Sequence, residues 1–137
     1  FVTLPDFSTT EADRASNPIA GFPATSGNMR LDYSKNGFSA SVMSSLVGTQ
    51  YVDNGEGENA SGLAQDDLKL EAYMLVDASI SYLFSSTGKF AGLKLGLDLN
   101  NVLNDEVLTY GNVSFGATQF FPAATRHAFF SARYTLK

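Results

Sequence analysis

Leu93-Lys94-Leu95-Gly96-Leu97-Asp98-Leu99-Asn100 sets a leucine at every second position, and its reading decides the fold class. A helix would spread those leucines around its circumference. A strand, with its period of two, places Leu93, Leu95, Leu97 and Leu99 on one face and Lys94, Asp98 and Asn100 on the other. The same alternation recurs on both sides. Upstream, Met74, Val76, Ala78, Ile80, Tyr82 and Phe84 oppose Tyr73, Asp77, Ser79 and Ser81; downstream, Ala128, Phe130, Ala132, Tyr134 and Leu136 oppose His127, Ser131, Arg133 and Thr135. Nearer the start, Met29, Leu31 and Tyr33 alternate with Arg30, Asp32 and Ser34, and Phe38, Ala40, Val42 and Leu46 share a face until about Val52. These segments make five strands, six if the opening Phe1-Val2-Thr3-Leu4 closes an earlier one.

The composition agrees with an all-β chain. Twelve glycines, eleven phenylalanines and six tyrosines stand against four prolines in 137 residues that are 44% hydrophobic, a balance that favours strands and turns over a helical bundle and excludes disorder. The formal charge is −5, and no run of Lys or Arg offers a nucleic acid a phosphate-tracking surface. Cysteine is absent, which removes disulfides, thiolate metal sites and cysteine nucleophiles. No apolar run approaches the roughly 18 residues of a spanning helix. The first residues do not resemble a translation start, so the chain is read as a processed or truncated piece of a longer one.

The connections divide into two kinds. Residues 35–37, Lys-Asn-Gly, make a tight hairpin turn, and residues 85–89 make another short one; residues 1–27, 53–69 and 104–125 read as long loops. An antiparallel meander then carries every short turn at one end and every long loop at the other. That asymmetry, with alternation sustained over about 10 to 14 residues in several segments, matches strands that cross a bilayer at a tilt. Lipid offers the backbone no hydrogen-bond partner, so such strands must lie in a closed sheet. Five strands do not close, because barrels of this kind begin at about eight. A soluble β-sandwich or small barrel, with one face on a core and one in water, produces the same period and stays open at this point.

Several segments resemble the closing strands of TonB-dependent receptors, outer-membrane β-barrels. Val47-Gly48-Thr49-Gln50-Tyr51-Val52-Asp53-Asn54 is similar to the family's Tyr and Asp-Asn segment leading into an extracellular loop. Tyr73-Met74-Leu75-Val76-Asp77-Ala78-Ser79-Ile80-Ser81-Tyr82 is similar to the next strand, with its inward Asp. Leu97-Asp98-Leu99-Asn100-Asn101-Val102-Leu103-Asn104-Asp105 resembles the family's Asn-Leu-Phe-Asp-like stop, and Phe121-Pro122-Ala123-Ala124-Thr125-Arg126 resembles the approach to the final strand. The resemblance spans about four fifths of the chain. It implies the C-terminal five or six strands of a plugged barrel of about 22 strands, with residues 1–27 mostly an extracellular loop and the plug not included. It also implies an outer-membrane receptor of a Gram-negative bacterium, importing a scarce nutrient such as a ferric siderophore or other metal chelate with energy delivered through TonB. One departure is the ending Tyr134-Thr135-Leu136-Lys137, where the family closes on an aromatic residue.

On this reading Val76, Ile80, Leu93, Leu95, Leu97, Leu99, Phe130 and Tyr134 face lipid, and Asp77, Lys94, Asp98, Arg126 and Arg133 form a polar, partly ion-paired lumen wall. Tyr51, Asp53, Asn54, Tyr110, Phe120 and Phe121 are the candidate ligand contacts in the long loops. Tyr33, Tyr51, Tyr73, Tyr82 and Tyr134, near strand ends or on the apolar face, suit interfacial girdles. Chemistry beyond binding finds little footing. His127 has no second His or Cys to share a metal. Residues 111–116, Gly-Asn-Val-Ser-Phe-Gly, lack nucleophile-elbow spacing. Asp53, Asn54, Glu56 and Glu58 depart from a calcium loop's spacing, and the Asn-x-Ser triplets at Asn59 and Asn112 have no force in a bacterial protein. No cofactor and no enzymatic activity are expected. The competing functions are a sandwich that binds through its loops and a structural barrel that transports nothing.

Overall fold

The computed structural model describes residues 19–53, 68–84, 87–114 and 117–135. The expected strand at Phe1 to Leu4, the loop residues Asn54, Glu56, Glu58 and Asn59, and Leu136 lie outside them. Among the described residues nine strands follow in order: β1 (Ser26–Lys35), β2 (Phe38–Val47), β3 (Gln50–Tyr51), β4 (Lys69–Leu70), β5 (Tyr73–Leu83), β6 (Leu93–Asn100), β7 (Leu108–Ser114), β8 (Ala117–Pro122) and β9 (His127–Tyr134). The five long ones form a single antiparallel sheet in the order β1-β2-β5-β6-β9, so the expected meander is present.

Register carries the chemistry of the faces across the whole sheet. Tyr33 pairs with Ala40, Ala40 with Ile80, Ile80 with Leu97 and Leu97 with Phe130, a row of apolar side chains running through all five strands. One residue along, Ser34, Ser39, Ser81, Gly96 and Ser131 make the corresponding row of the other face. A slip of one residue in any pair would interleave the two sets, which is why this register is so strongly specified. Oxygen pairs tie the polar rows together, with Ser41 Oγ 2.8 Å from Ser79 Oγ and Ser34 Oγ 3.3 Å from Ser39 Oγ.

No second layer covers the apolar face among the described residues. Leu31 and Phe130 are each 72% exposed. Leu93, Leu95, Leu97 and Leu99 are half-buried, screened by neighbours in their own sheet. The buried apolar residues Leu68, Leu70 and Val107 lie off the sheet, among the long connections. A sandwich would bury one entire face beneath a facing sheet about 10 Å away, and the described strands do not.

The turns explain the alternation of ends. Between β1 and β2, Asn36 and Gly37 both take positive φ (50° and 85°), the primed turn whose twist matches the strands it joins. The Leu83 N–H donates to the Gly37 carbonyl (2.8 Å), pinning this turn against the end of β5. At the other end, β2 stops at Val47, short of the expected Val52. Gly48 donates its N–H to the Thr25 carbonyl (2.7 Å), and a Cβ there would stand 2.5 Å from Thr25 Oγ1. The missing side chain lets residue 25 close in, and the chain leaves the sheet to form β3, which pairs with β4. The connection expected over 104–125 as one loop contains a hairpin, β7 with β8. Its residues Gly111, Asn112 and Ser114 hide the strand pattern from a periodicity reading.

Two glycines give a direct contrast. Gly37→Ala must accommodate a Cβ against the Leu83 carbonyl at positive φ, whereas Gly27→Ala meets nothing within 4 Å. In the full-length protein, Gly37→Ala is expected to cost about 1–3 kcal/mol and Gly27→Ala less than about 0.5 kcal/mol, read as urea midpoints by circular dichroism.

Candidate functional site

Beyond the long-connection end of the sheet, the structure is organised by one buried amide. Asn101, 4% exposed and at φ 50°, follows β6 directly. Its backbone N–H donates to Asp77 Oδ1 (2.9 Å), and its Nδ2 donates to the carbonyls of Asp105 (2.8 Å) and Ala124 (3.2 Å). Its Oδ1 accepts the Asp105 N–H (3.1 Å), so donor and acceptor capacity are both used. Asn104, at φ 60°, accepts the Arg126 N–H on Oδ1 (3.1 Å). Asparagine tolerates this left-handed backbone better than other side chains, which is why the Asn-Asn-Val-Leu-Asn-Asp run turns here.

This clamp engages two of the residues expected on a lumen wall. Asp77 shares the face of Met43 and Asn100 by register, but its carboxylate accepts the Asn101 amide and joins β5 to the end of β6. Arg126 precedes β9; its Nη1 donates to the Val102 carbonyl (3.4 Å), and Val102 donates to Val76 in β5 (2.8 Å). Both act in the turn. Lys94, Asp98 and Arg133 stand on the polar face as expected, Lys94 opposite Arg133 and Asp98 opposite Phe129. The polar face does carry one ion pair among the described residues, in β1, where Arg30 Nε lies 2.9 Å from Asp32 Oδ2. The sequence reading did not single it out, although alternation placed both residues on that face.

The loop aromatics come together at this same end. Tyr110 and Phe121 face each other across the β7-β8 hairpin with ring centroids 5.7 Å apart, and they are 55% and 47% exposed. Phe120 lies on the hairpin's other side, opposite Gly111, where a Cβ would stand 2.5 Å from Val52 Cγ1 and 3.0 Å from Phe120 Cδ1. The absent side chain lets the hairpin seat against Val52. Gln50, 7% exposed, secures the seat by donating Nε2 to the Thr109 carbonyl (3.1 Å). Tyr51 is half-buried in β3 and holds residue 21, whose N–H donates to its carbonyl (2.7 Å). Asp53 ends the described part of that loop, and Asn54 lies outside it. The exposed aromatic surface is therefore greatest at Tyr110 and Phe121, with Phe120 37% exposed on the hairpin's other side and Tyr51 half-buried.

His127 opens β9 on the polar face. Its Nδ1 donates to the Thr125 carbonyl (2.8 Å), and its ring meets Phe129 edge-on at 5.3 Å. Among the described residues no three His, Cys, Asp or Glu side chains converge on a metal position. Ser114 lies at the tip of a β-hairpin, without the helix a nucleophile elbow requires. At the opposite end of the sheet the apolar face carries a cluster of rings: Tyr33 with Phe38 (6.2 Å), Tyr82 with Phe84 (5.0 Å, edge-on) and Phe84 with Phe90 (5.8 Å).

Comparison with known proteins brings these features under one heading. The family profile described as "TonB dependent receptor-like, beta-barrel" matches residues 2–102. Among solved structures, the ferric-catecholate import receptor Fiu from E. coli K12, in an open form, superposes with a TM-score of 0.63 at 16% identity, over 80% of this chain and 15% of that one. The ferric citrate transporter FecA, unliganded, superposes with a TM-score of 0.59 at 19% identity, over 79% of this chain and 16% of that one. The chain thus spans about one sixth of the length of the receptors it matches. Comparison with curated proteins gives no match.

Removing the clamp should be costly. Asn101→Ala withdraws three side-chain hydrogen bonds from a buried turn and is expected to destabilise the full-length protein by about 2–4 kcal/mol. Asp77→Asn keeps an acceptor for the Asn101 amide and is expected to cost about 1 kcal/mol or less. Urea midpoints measure both, and equal losses would show that the amide is not the organising group.

Proposed function

From the premise that this chain belongs to the TonB-dependent receptor β-barrel family, a non-enzymatic transporter family of the outer membrane, we propose that it forms the C-terminal strands of a receptor importing a ferric siderophore or other metal chelate. The observation that carries this reading is the uncovered apolar face. Its rows hold hydrocarbon, and the serine-rich reverse faces a lumen filled by water and a plug supplied by upstream sequence. A shallow depression of about 190 Å³ between Phe38, Ile80, Tyr82, Leu95, Leu97 and Phe130 is lined almost wholly by apolar atoms, the surface that lipid tails favour. The ring cluster beside the short turns lies at the periplasmic boundary as an aromatic girdle. The long connections then stand outside the cell, and Tyr110 and Phe121 present their rings to the arriving ligand.

The ligand class is inferred from the two structural neighbours, whose names specify ferric-catecholate import and ferric citrate transport. Energy comes from the inner membrane through TonB, engaged by the upstream part of the receptor. This chain supplies wall, outer hairpins and part of the gate, and it performs no covalent step.

Membrane placement is tested by opposite substitutions on adjacent residues. Leu97→Arg puts a cation against hydrocarbon and is expected to cost about 2–4 kcal/mol. Asp98→Asn, on the lumen face, should cost less than about 0.5 kcal/mol. Both are read by refolding into lipid vesicles, and a full-length wild type that leaves washed membranes without detergent would refute the placement.

Transport is tested by uptake of radio-iron chelates into cells carrying or lacking TonB. Tyr110→Ala and Phe121→Ala should each weaken binding of the transported chelate by about three- to tenfold, or roughly 0.7–1.4 kcal/mol, with the stability of the barrel unchanged. Uptake that persists without TonB would overturn the receptor mechanism.

A further inference from the structure

The outer hairpin is uncharged in a chain otherwise well supplied with charge. From Val107 to Thr125 no residue carries one, and that span contains β7 and β8. The long connections as a group are acidic: residues 1–27, 53–69 and 104–125 hold ten of the fourteen Asp and Glu but two of the nine Lys and Arg. The remainder of the chain has the opposite balance, seven Lys and Arg against four Asp and Glu. The described cations at the base of the hairpin are engaged there. Arg126 donates to the Val102 carbonyl (3.4 Å), and Lys69, beside Leu108, lies 3.0 Å from Glu71.

Register gathers what the hairpin does carry onto one face. Tyr110 pairs with Phe121 and Asn112 with Gln119, and residues two apart on a strand share a side. Two rings and two amides thus stand together, about 5 Å apart across the strands and about 7 Å along them. Gly111, on the reverse side, takes the contact with Val52. Tyr110, Gln119 and Phe121 are exposed. Asn112 Oδ1 is shielded and accepts no hydrogen bond among the described residues, so turning this amide towards a ligand breaks no bond at its oxygen. Rings stack on flat or apolar ligand surfaces, and amides both donate and accept. Neither supplies the positive charge that compensates a desolvated anion.

We propose that this face of the β7-β8 hairpin selects an uncharged ferric chelate, one whose oxygen donors just balance the metal as three hydroxamates balance Fe³⁺, and discriminates against anionic chelates. The inference rests on the receptor function proposed above and narrows its ligand class. Three dianionic catecholates leave their Fe³⁺ complex trianionic, and citrate complexes are anionic as well. Such ligands are held by Lys and Arg, which this hairpin lacks. They would also approach through connections rich in carboxylates, whose field slows the association of an anion. A neutral complex meets neither penalty. Its hydroxamate oxygens accept hydrogen bonds from the amide N–H groups of Asn112 and Gln119, and the carbon skeleton between its chelating groups lies against the Tyr110 and Phe121 rings. The class differs from the ferric catecholate and ferric citrate in the names of the two structural neighbours.

Binding of three defined complexes to the full-length receptor tests the selection: a neutral ferric trihydroxamate, a ferric tris-catecholate and ferric citrate. The trihydroxamate is expected to bind about tenfold or more tighter than either anion. Its association rate should ignore salt, whereas that of the anions should rise as salt screens the carboxylates. Charge reversal at one exposed position then moves the preference both ways. Gln119→Arg should narrow it by about three- to tenfold through tighter anion binding, and Gln119→Glu should widen it. Equal or tighter binding of either anionic chelate by the wild type overturns the proposal and leaves the receptor reading in place, as does a preference that neither variant moves. Should the variants fail to assemble, the wild-type salt dependence decides, and anion association slowed by salt overturns the proposal. Binding of none of the three complexes sinks the metal-chelate reading itself, and this inference with it.

Discussion

Backbone amides in contact with hydrocarbon have no partner except another strand, and the rest of this structure follows from that constraint. It explains why five strands of about eight to eleven residues run antiparallel without a break in register, and why side chains sort so cleanly into two sets. A strand in a soluble protein can fray, bulge or twist away where water will satisfy it. Here each pair is held along its length, and the alternation of the side chains inherits that regularity. The same constraint requires β1 and β9, the two edges of the sheet among the described residues, to be paired by the remainder of a closed wall.

Where the wall leaves the bilayer, another kind of interaction takes over. The sheet proper withdraws almost nothing completely from solvent, while the connections above it bury Leu68, Leu70 and Val107 and satisfy Asn101 on all sides. An amide is well suited to this position because it both donates and accepts: the side chain ties the 101–105 turn to the approach to β9, while the backbone N–H of the same residue holds β5 through Asp77. A buried hydrophobic residue there would hold the same elements together but would fix none of their directions. Direction matters because β7 and β8 rise from this turn and carry Tyr110 and Phe121. The clamp sets the base from which the exposed rings project.

The sheet was legible in the sequence because period-two alternation has one physical cause and survives any change of partner. The leucines of β6 identify their face without reference to any other strand, and the Asn36-Gly37 turn announces itself by chemistry. The outer end was harder to read. Gly48 and Gly111 act through what approaches them, Thr25 in one case and Val52 in the other, and neither neighbour is near in sequence. Asp77 and Arg126 are charged residues whose positions suggest a wall, yet their partners are the backbone groups of Asn101 and Val102. Alternation fixes the face of a strand residue; it does not say which backbone atom its side chain will meet, and it lapses where β7 is built from Leu, Thr, Tyr, Gly and Asn. The resemblance at Asn101 to Asp105 marked the right place for a different reason, since what looked like a stop before a loop is the fastening of that loop.

The two ends of the sheet differ in what they ask of their environment. At the short-turn end the apolar face closes on Tyr33, Phe38, Tyr82, Phe84 and Phe90, rings whose large areas suit the boundary between chain and headgroup. Directly behind them, on the polar face, lie the low serine row and the paired cations. A wall a single sheet thick has no interior in which to separate these surfaces, so it separates them by parity: Leu95 and Lys94 are neighbours in the chain and stand on opposite faces. Changing one face therefore requires substitutions only at even or only at odd positions of a given strand, leaving the other face intact. On the receptor reading proposed above, that independence lets the polar surface of the wall vary with what it encloses while the apolar surface stays the same.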